Sequence, residues 1–118
     1  MELKYNNDVY FHINSWWWGK SIDIIKDDGT AIVCVKYDKN TFPKTGYICA
    51  LSVLETERKK GIGDKMMRYA LMSCADNRMT FARLHVDAKN IWLREWYERI
   101  GFKELSRDEN EIEMIKEL

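Results

Sequence analysis

Residues 46–74 read GYICALSVLETERKKGIGDKMMRYALMSC, and the architecture turns on how they divide. Gly46–Leu54 is a nearly continuous apolar run, the pattern of a strand buried on both faces. A charged stretch follows, ending in Arg58-Lys59-Lys60, and then Gly61 and Gly63 flank Ile62. From there the period changes. Ile62, Met66, Met67, Ala70, Leu71 and Cys74 recur at helical spacing, which predicts a helix from about 61 to 77. Ala82–Asp87 is the next short apolar run. A strand that crosses over through a helix to another strand of the same sheet makes a parallel pair.

Working upstream, Ala31–Tyr37 and Ser21–Lys26 read as strands joined by the hairpin turn Asp27-Asp28-Gly29. Asp38–Thr45, with Asn40 and Pro43, reads as a longer loop. Val9, Phe11 and Ile13 alternate with polar neighbours, which suggests a short strand over 8–14. Trp16-Trp17-Trp18 cannot all face one core on a regular element, so at least one faces solvent or a cleft. Downstream, Leu93, Trp96, Tyr97 and Ile100 form the stripe of a helix over about 90–100, closed by Gly101. Phe102–Ser106, a turn at Asp108–Asn110, and Ile112–Lys116 complete the chain. The expected fold is α+β: a mostly antiparallel sheet, one parallel pair and two main helices, in a single domain over residues 1–118.

Composition excludes several classes. Nineteen Lys+Arg balance nineteen Asp+Glu among 118 residues, so the chain has no bulk electrostatic pull on nucleic acid or an anionic membrane. No apolar run approaches the roughly 20 residues of a membrane span, and the first residues lack the pattern of a signal peptide. Cys34, Cys49 and Cys74 are too widely spaced for a metal or disulfide framework. They read as mostly buried thiols of a reduced, cytoplasmic protein, and no metal is expected. Surplus aromatics on a short chain make a homodimer plausible.

The glycine turn carries the chemical signal. The first N–H groups of a helix lack intrahelical partners, and the macrodipole places partial positive charge at the same end. Gly61 and Gly63 leave the backbone open to close approach, and Arg58, Lys59 and Lys60 add charge. That is an anion site suited to a phosphate or pyrophosphate. The plain alternative is a tight turn with a solvated basic face. The turn is neither a Walker A loop nor a full GxGxxG fingerprint.

A second segment, LHVDAKNIWLREWYERIGF over residues 84–102, completes a resemblance. Arg58, Gly61 and Gly63 fit the [R/Q]xxGx[G/A] turn of the GNAT acyltransferase superfamily, preceded by Leu51 and Val53 in its LxV strand. Val86, Asn90, Tyr97, Gly101 and Phe102 fit the later VxxxNxxAxxxYxxxGF pattern, with Leu93 in place of the family alanine. The likeness runs over residues 46–117.

The resemblance implies the GNAT fold and transfer of an acetyl group from acetyl-CoA to a primary amine by direct attack in a ternary complex. The implied pyrophosphate site is the backbone from Lys59 to Asp64, through Lys60, Gly61, Ile62 and Gly63, beside Arg58. The implied pantetheine slot lies along Leu51, Ser52 and Val53, between splayed strands. Asn90 matches the position that contacts the pantetheine arm, and Tyr97 the residue that protonates the leaving thiolate. Each also has a structural reading: Asn90 as a helix cap, Tyr97 as a boundary aromatic on its apolar stripe. Cys49 alternates with Leu51 and Val53, so it is expected on their face as a buried, inert thiol.

Two departures stand out. Relatives usually carry two helices ahead of the meander, and here residues 1–20 leave no room for them. The tryptophan cluster and the 38–45 loop then line the acceptor side, where the indoles either clamp a substrate or cap the core. Some relatives place a Glu where this chain has Tyr47, and no carboxylate occurs over 46–54. His85 or a water chain is left to take the amine proton, and no single strong base is expected. The acceptor stays open from polyamine to protein N-terminus. The rival reading is a non-catalytic acyl-CoA-binding regulatory or partner-binding module of the same fold.

Overall fold

The computed structural model describes residues 2–5, 8–38, 44–58 and 60–118. In chain order the elements are β1 (Glu2–Tyr5), β2 (Val9–Trp16), β3 (Gly19–Lys26), β4 (Ala31–Asp38), β5 (Thr45–Val53), α1 (Ile62–Asp76), β6 (Phe81–Asp87), α2 (Ile91–Ile100), β7 (Lys103–Arg107) and β8 (Glu111–Glu117). The strands form one sheet in the order β1-β2-β3-β4-β5-β6-β8-β7. The β5–β6 pair is parallel, as the crossover requires, and the other neighbours among the described residues are antiparallel.

The core lies between the sheet and α1, which packs across β3, β4 and β5. Strand register puts Ile24, Val33 and Leu51 in one row and Ile22, Val35 and Ile48 in the next. The helix contributes Met66, Met67, Ala70 and Cys74, all buried. Tyr37 ties β4 to α1 by a 2.7 Å hydrogen bond between its hydroxyl and that of Ser73.

Two features depart from the sequence reading. Residues 2–5, left unassigned by the sequence reading, pair with Val9–His12 as a further hairpin. Strand β2 runs on to Trp16, because its ladder with β3 continues as far as Trp16 opposite Gly19. The expected loop at 38–45 lies partly outside the described residues.

The other departure is a β-bulge. Val35 faces Ile48 but Cys34 faces Ala50, so Cys49 is an extra residue in β5. A bulge breaks the two-residue alternation. Cys49 therefore leaves the helix-facing side of Leu51 and stands exposed beside Tyr47, correcting the expectation of a buried thiol. Cys34 is half-buried and Cys74 fully buried.

Candidate active site

Two half-sites meet where β5 and β6 part. These strands pair through Thr45–Tyr47 and Phe81–Arg83 and then separate, while β5 stays bonded to β4 as far as Val53. The β6-facing edge of β5 beyond Tyr47, including Leu51, Ser52 and Val53, thus borders a slot open to an extended ligand.

At the far end of β5 lies the glycine turn. Arg58 folds back, donating from Nε to the Val53 carbonyl at 3.2 Å, and Lys60 pairs with Glu57 at 3.1 Å. Lys59 lies outside the described residues. Gly61 is the N-cap at φ +76°, a left-handed conformation that L side chains rarely adopt. It has no side chain to cap the helix, and the first bond to its carbonyl comes from Lys65 N–H at 3.1 Å. The N–H groups of Ile62, Gly63 and Asp64 therefore have no acceptor from within the helix.

Packing does not explain the second glycine. A Cβ on Gly63 would sit 3.9 Å from the Trp96 ring, an ordinary contact, and one on Gly61 would meet nothing within 4 Å. Glycine in a helix costs up to about 1 kcal/mol relative to alanine, so open space outside the turn is the better reason for it. That is the cradle an anionic group such as a pyrophosphate fits. Trp96 Nε1 donates to the Asp64 carboxylate at 2.8 Å, which locks α2 against this turn and occupies the one acidic group in it.

Helix α2 carries the two further residues singled out in the sequence. Asn90 is its N-cap, accepting from Leu93 N–H at 3.1 Å through Oδ1, so the structural reading of Asn90 holds and its amide nitrogen is still available. Tyr97 is 7% exposed, its ring against Trp96 and Phe102. Burial pushes its hydroxyl pKa up from the usual phenol value, so it holds its proton at neutral pH.

On the other side of the parting lies a cavity of about 430 Å³ lined by Trp18, Lys36, Asp38, Tyr47, Ile48, Cys49, Leu84 and His85. Behind it runs a chain of polar contacts. The Arg83 guanidinium lies over the Tyr47 ring and reaches its hydroxyl at 3.4 Å. It forms an ion pair with Glu113, whose other oxygen is 3.5 Å from His85 Nε2. Sequence reasoning singled out His85 but missed Arg83 and Glu113. Alternation along β6 signals that Arg83 and His85 share a face, but the register of His85 against Glu113 depends on strand order.

The comparisons with known proteins agree with this geometry. A family model described as "Acetyltransferase (GNAT) family" matches residues 2–102. The chain is 26% identical over 115 residues to N-alpha-acetyltransferase 50 of Danio rerio, covering 97% of this chain and 68% of that protein. Among solved structures, it superposes on Arabidopsis thaliana Naa50 in complex with a bisubstrate analogue, CoA-Ac-MVNAL. There the TM-score is 0.69 at 20% identity, over 83% of this chain and 72% of that one. A PaiA N-acetyltransferase from Thermoplasma acidophilum in complex with coenzyme A gives a TM-score of 0.70 at 19% identity, over 83% and 60%. The chain belongs to the acetyltransferase (GNAT) family and is an N-acetyltransferase.

Proposed function

We propose that this protein, a single domain over its whole length, acetylates the α-amino group of a peptide or protein chain by direct attack in a ternary complex. The observation that carries the reading is the parting of β5 from β6, with an anion cradle at one end and a cavity reached by Lys36, Asp38 and His85 at the other. The N-alpha-acetyltransferase relative, matched over nearly the whole chain, and the peptide conjugate held by a structural neighbour favour a peptide amine over a polyamine or drug.

In this reading the N–H groups of Ile62, Gly63 and Asp64 hold the pyrophosphate, with Arg58, Lys59 and Lys60 supplying positive charge. The free edge along Leu51, Ser52 and Val53 pairs with the pantetheine arm, which Asn90 contacts from α2. His85, beside Glu113, or a water chain takes the proton from the acceptor ammonium, and the freed amine attacks the thioester carbonyl. As the carbon–sulfur bond breaks, the Tyr97 hydroxyl gives its proton to the leaving thiolate, and the phenolate recovers one, through water, from the newly acetylated nitrogen. Among the described residues no thiol is prepared as a nucleophile. Burial pushes Cys34 up to about 12 and Cys74 up to about 11.

The test is initial-rate kinetics with both substrates varied, together with mass spectrometry of the product. Intersecting double-reciprocal lines and one acetyl group on the α-amine are expected. Parallel lines, the mark of an acetyl-enzyme, or acetylation confined to lysine side chains would overturn the reading. In the same assay, His85→Ala should lower kcat/KM by less than about tenfold, because water also takes the proton.

A further inference from the structure

The tryptophan cluster does not cap the core. Trp17 is 86% exposed and Trp16 44% exposed, while the Trp16 and Trp18 rings stack in parallel, 5.1 Å apart and 1° from coplanar orientation. The stack is anchored at its base. Gly19 is buried so close to the end of β4 that a Cβ would fall 2.0 Å from the Tyr37 carbonyl oxygen. The two indoles serve different cavities. Trp18 walls the one at the parting of β5 and β6, whereas Trp16 walls a second cavity of about 310 Å³, which also holds Lys20, Lys44 and Asn77. Asp38 borders both, so the two are adjacent.

The charges in the two cavities differ. Among the described residues, the first has one ammonium, Lys36, and one carboxylate, Asp38. The second has two ammonium groups against that single shared carboxylate. The Lys20 ammonium is held 5.9 Å from the centre of the Tyr37 ring. An aromatic stack standing between a neutral cavity and a cationic one suits a chain that crosses it and carries negative charge beyond it.

We infer that the Trp16–Trp18 stack and the second cavity are an extended acceptor subsite that selects peptides with acidic side chains a few residues after the reacting amine. The inference rests on the peptide-acceptor reading above. An extended chain advances about 3.3–3.6 Å per residue, so crossing two stacked rings takes roughly two residues and brings the third and fourth side chains to Lys20 and Lys44. The aromatic faces are tolerant of sequence, and the two ammonium groups set the preference.

Three peptides test this: Met-Val-Asn-Ala-Leu, and the same peptide with Glu-Glu or Lys-Lys in place of Asn-Ala. At low salt, kcat/KM for the Glu-Glu peptide should exceed that for the Lys-Lys peptide by roughly fivefold, the scale of solvent-exposed ion pairs. The ratio should shrink towards one in about 0.5 M salt, where screening is strong. Lys44→Glu should invert it. Trp16→Ala should slow all three peptides while sparing the dipeptide amide Met-Val-NH2, which is too short to reach the stack. Equal rates for the three peptides, or a ratio unmoved by Lys44→Glu, would overturn the inference and leave peptide acetylation standing. If no peptide is acetylated while a small alkylamine is, the peptide reading fails and this inference falls with it.

Discussion

The two sides of the β5–β6 parting are built in different ways. In the reading proposed above, the cofactor side is made of backbone: unpaired N–H groups at the start of α1, a strand edge freed by splaying, and two glycines that keep side chains out of the way. The acceptor side is made of side chains drawn from the β2–β3 turn, β4, β5, β6 and β8. A backbone site serves one invariant ligand and needs a short, local run of sequence. A side-chain site is free to vary with the acceptor, and its members come together only through strand order. The difference predicts that damage on the cofactor side abolishes activity for every amine, whereas damage on the acceptor side redistributes activity among amines.

The largest effects should fall on the cofactor side and separate binding from chemistry. Gly63→Val keeps helical backbone but places a branched side chain over the cradle. CoA should then lose its ability to raise the melting temperature, which for the unaltered protein amounts to about 2.7 kcal/mol at a hundredfold excess over Kd. Tyr97→Phe keeps the ring packed against Trp96 and Phe102 and removes the hydroxyl alone. It should lower kcat by roughly 10²–10⁴ with the CoA-induced shift intact. A loss under threefold would return Tyr97 to a purely structural role. A normal CoA shift in folded Gly63→Val would remove the cradle from the site.

This division explains what the sequence made legible. The crossover, the parallel pair, the glycine turn, Asn90 as cap and Tyr97 on its stripe all lie in 46–102, where signals are local: a change of period, a glycine, a capping residue. The first strand escaped notice because residues 2–5 take part only by pairing with β2, a contact that local pattern does not encode. Cys49 was assigned to the wrong face because alternation assumes an unbroken ladder, and the bulge inserts one residue. Arg83 and Glu113 were invisible as a pair because they stand 30 positions apart on strands joined through α2 and β7. The tryptophans were recognised as unusual but could not be placed, since their role depends on which cavity each indole borders.

Smaller effects are expected where the acceptor side is held in shape. Gly19→Ala would drive a methyl group into the Tyr37 carbonyl, a backbone atom that cannot swing away. The cost should be about 1–3 kcal/mol, seen as a lower melting temperature, with the loss of peptide acetylation exceeding any loss of CoA binding. An unchanged melting temperature would mean that the hairpin base is not anchored as described.

Stability should also depend on alkaline pH. Burial raises Tyr37 and Tyr97 above the ordinary phenol value and pushes Cys74 up to about 11 from 9.0. Each group keeps its proton in the folded chain at pH values where the unfolded chain has lost it. The unfolded state then binds fewer protons, so stability falls as pH rises. The melting temperature should be insensitive to these groups near neutrality and decline from about pH 9 upward. A flat profile to pH 11 would mean that water reaches them. The smallest effect belongs to Trp17→Ala. With the side chain 86% exposed, it should shift stability by no more than about 0.5 kcal/mol, which distinguishes it from its stacked neighbours.

The claim that joins the two halves is that one ligand spans them through the β5–β6 parting. Calorimetric titration with a bisubstrate analogue, CoA joined through an acetyl bridge to the amine of Met-Val-Asn-Ala-Leu, measures this against CoA alone and the free peptide. The joined ligand should bind at least tenfold more tightly than CoA, because the second contact becomes intramolecular. The advantage should disappear when the peptide is attached through a lysine side chain instead of its amino terminus. An analogue that binds no better than CoA would mean that the cradle and the cavity do not serve one reaction.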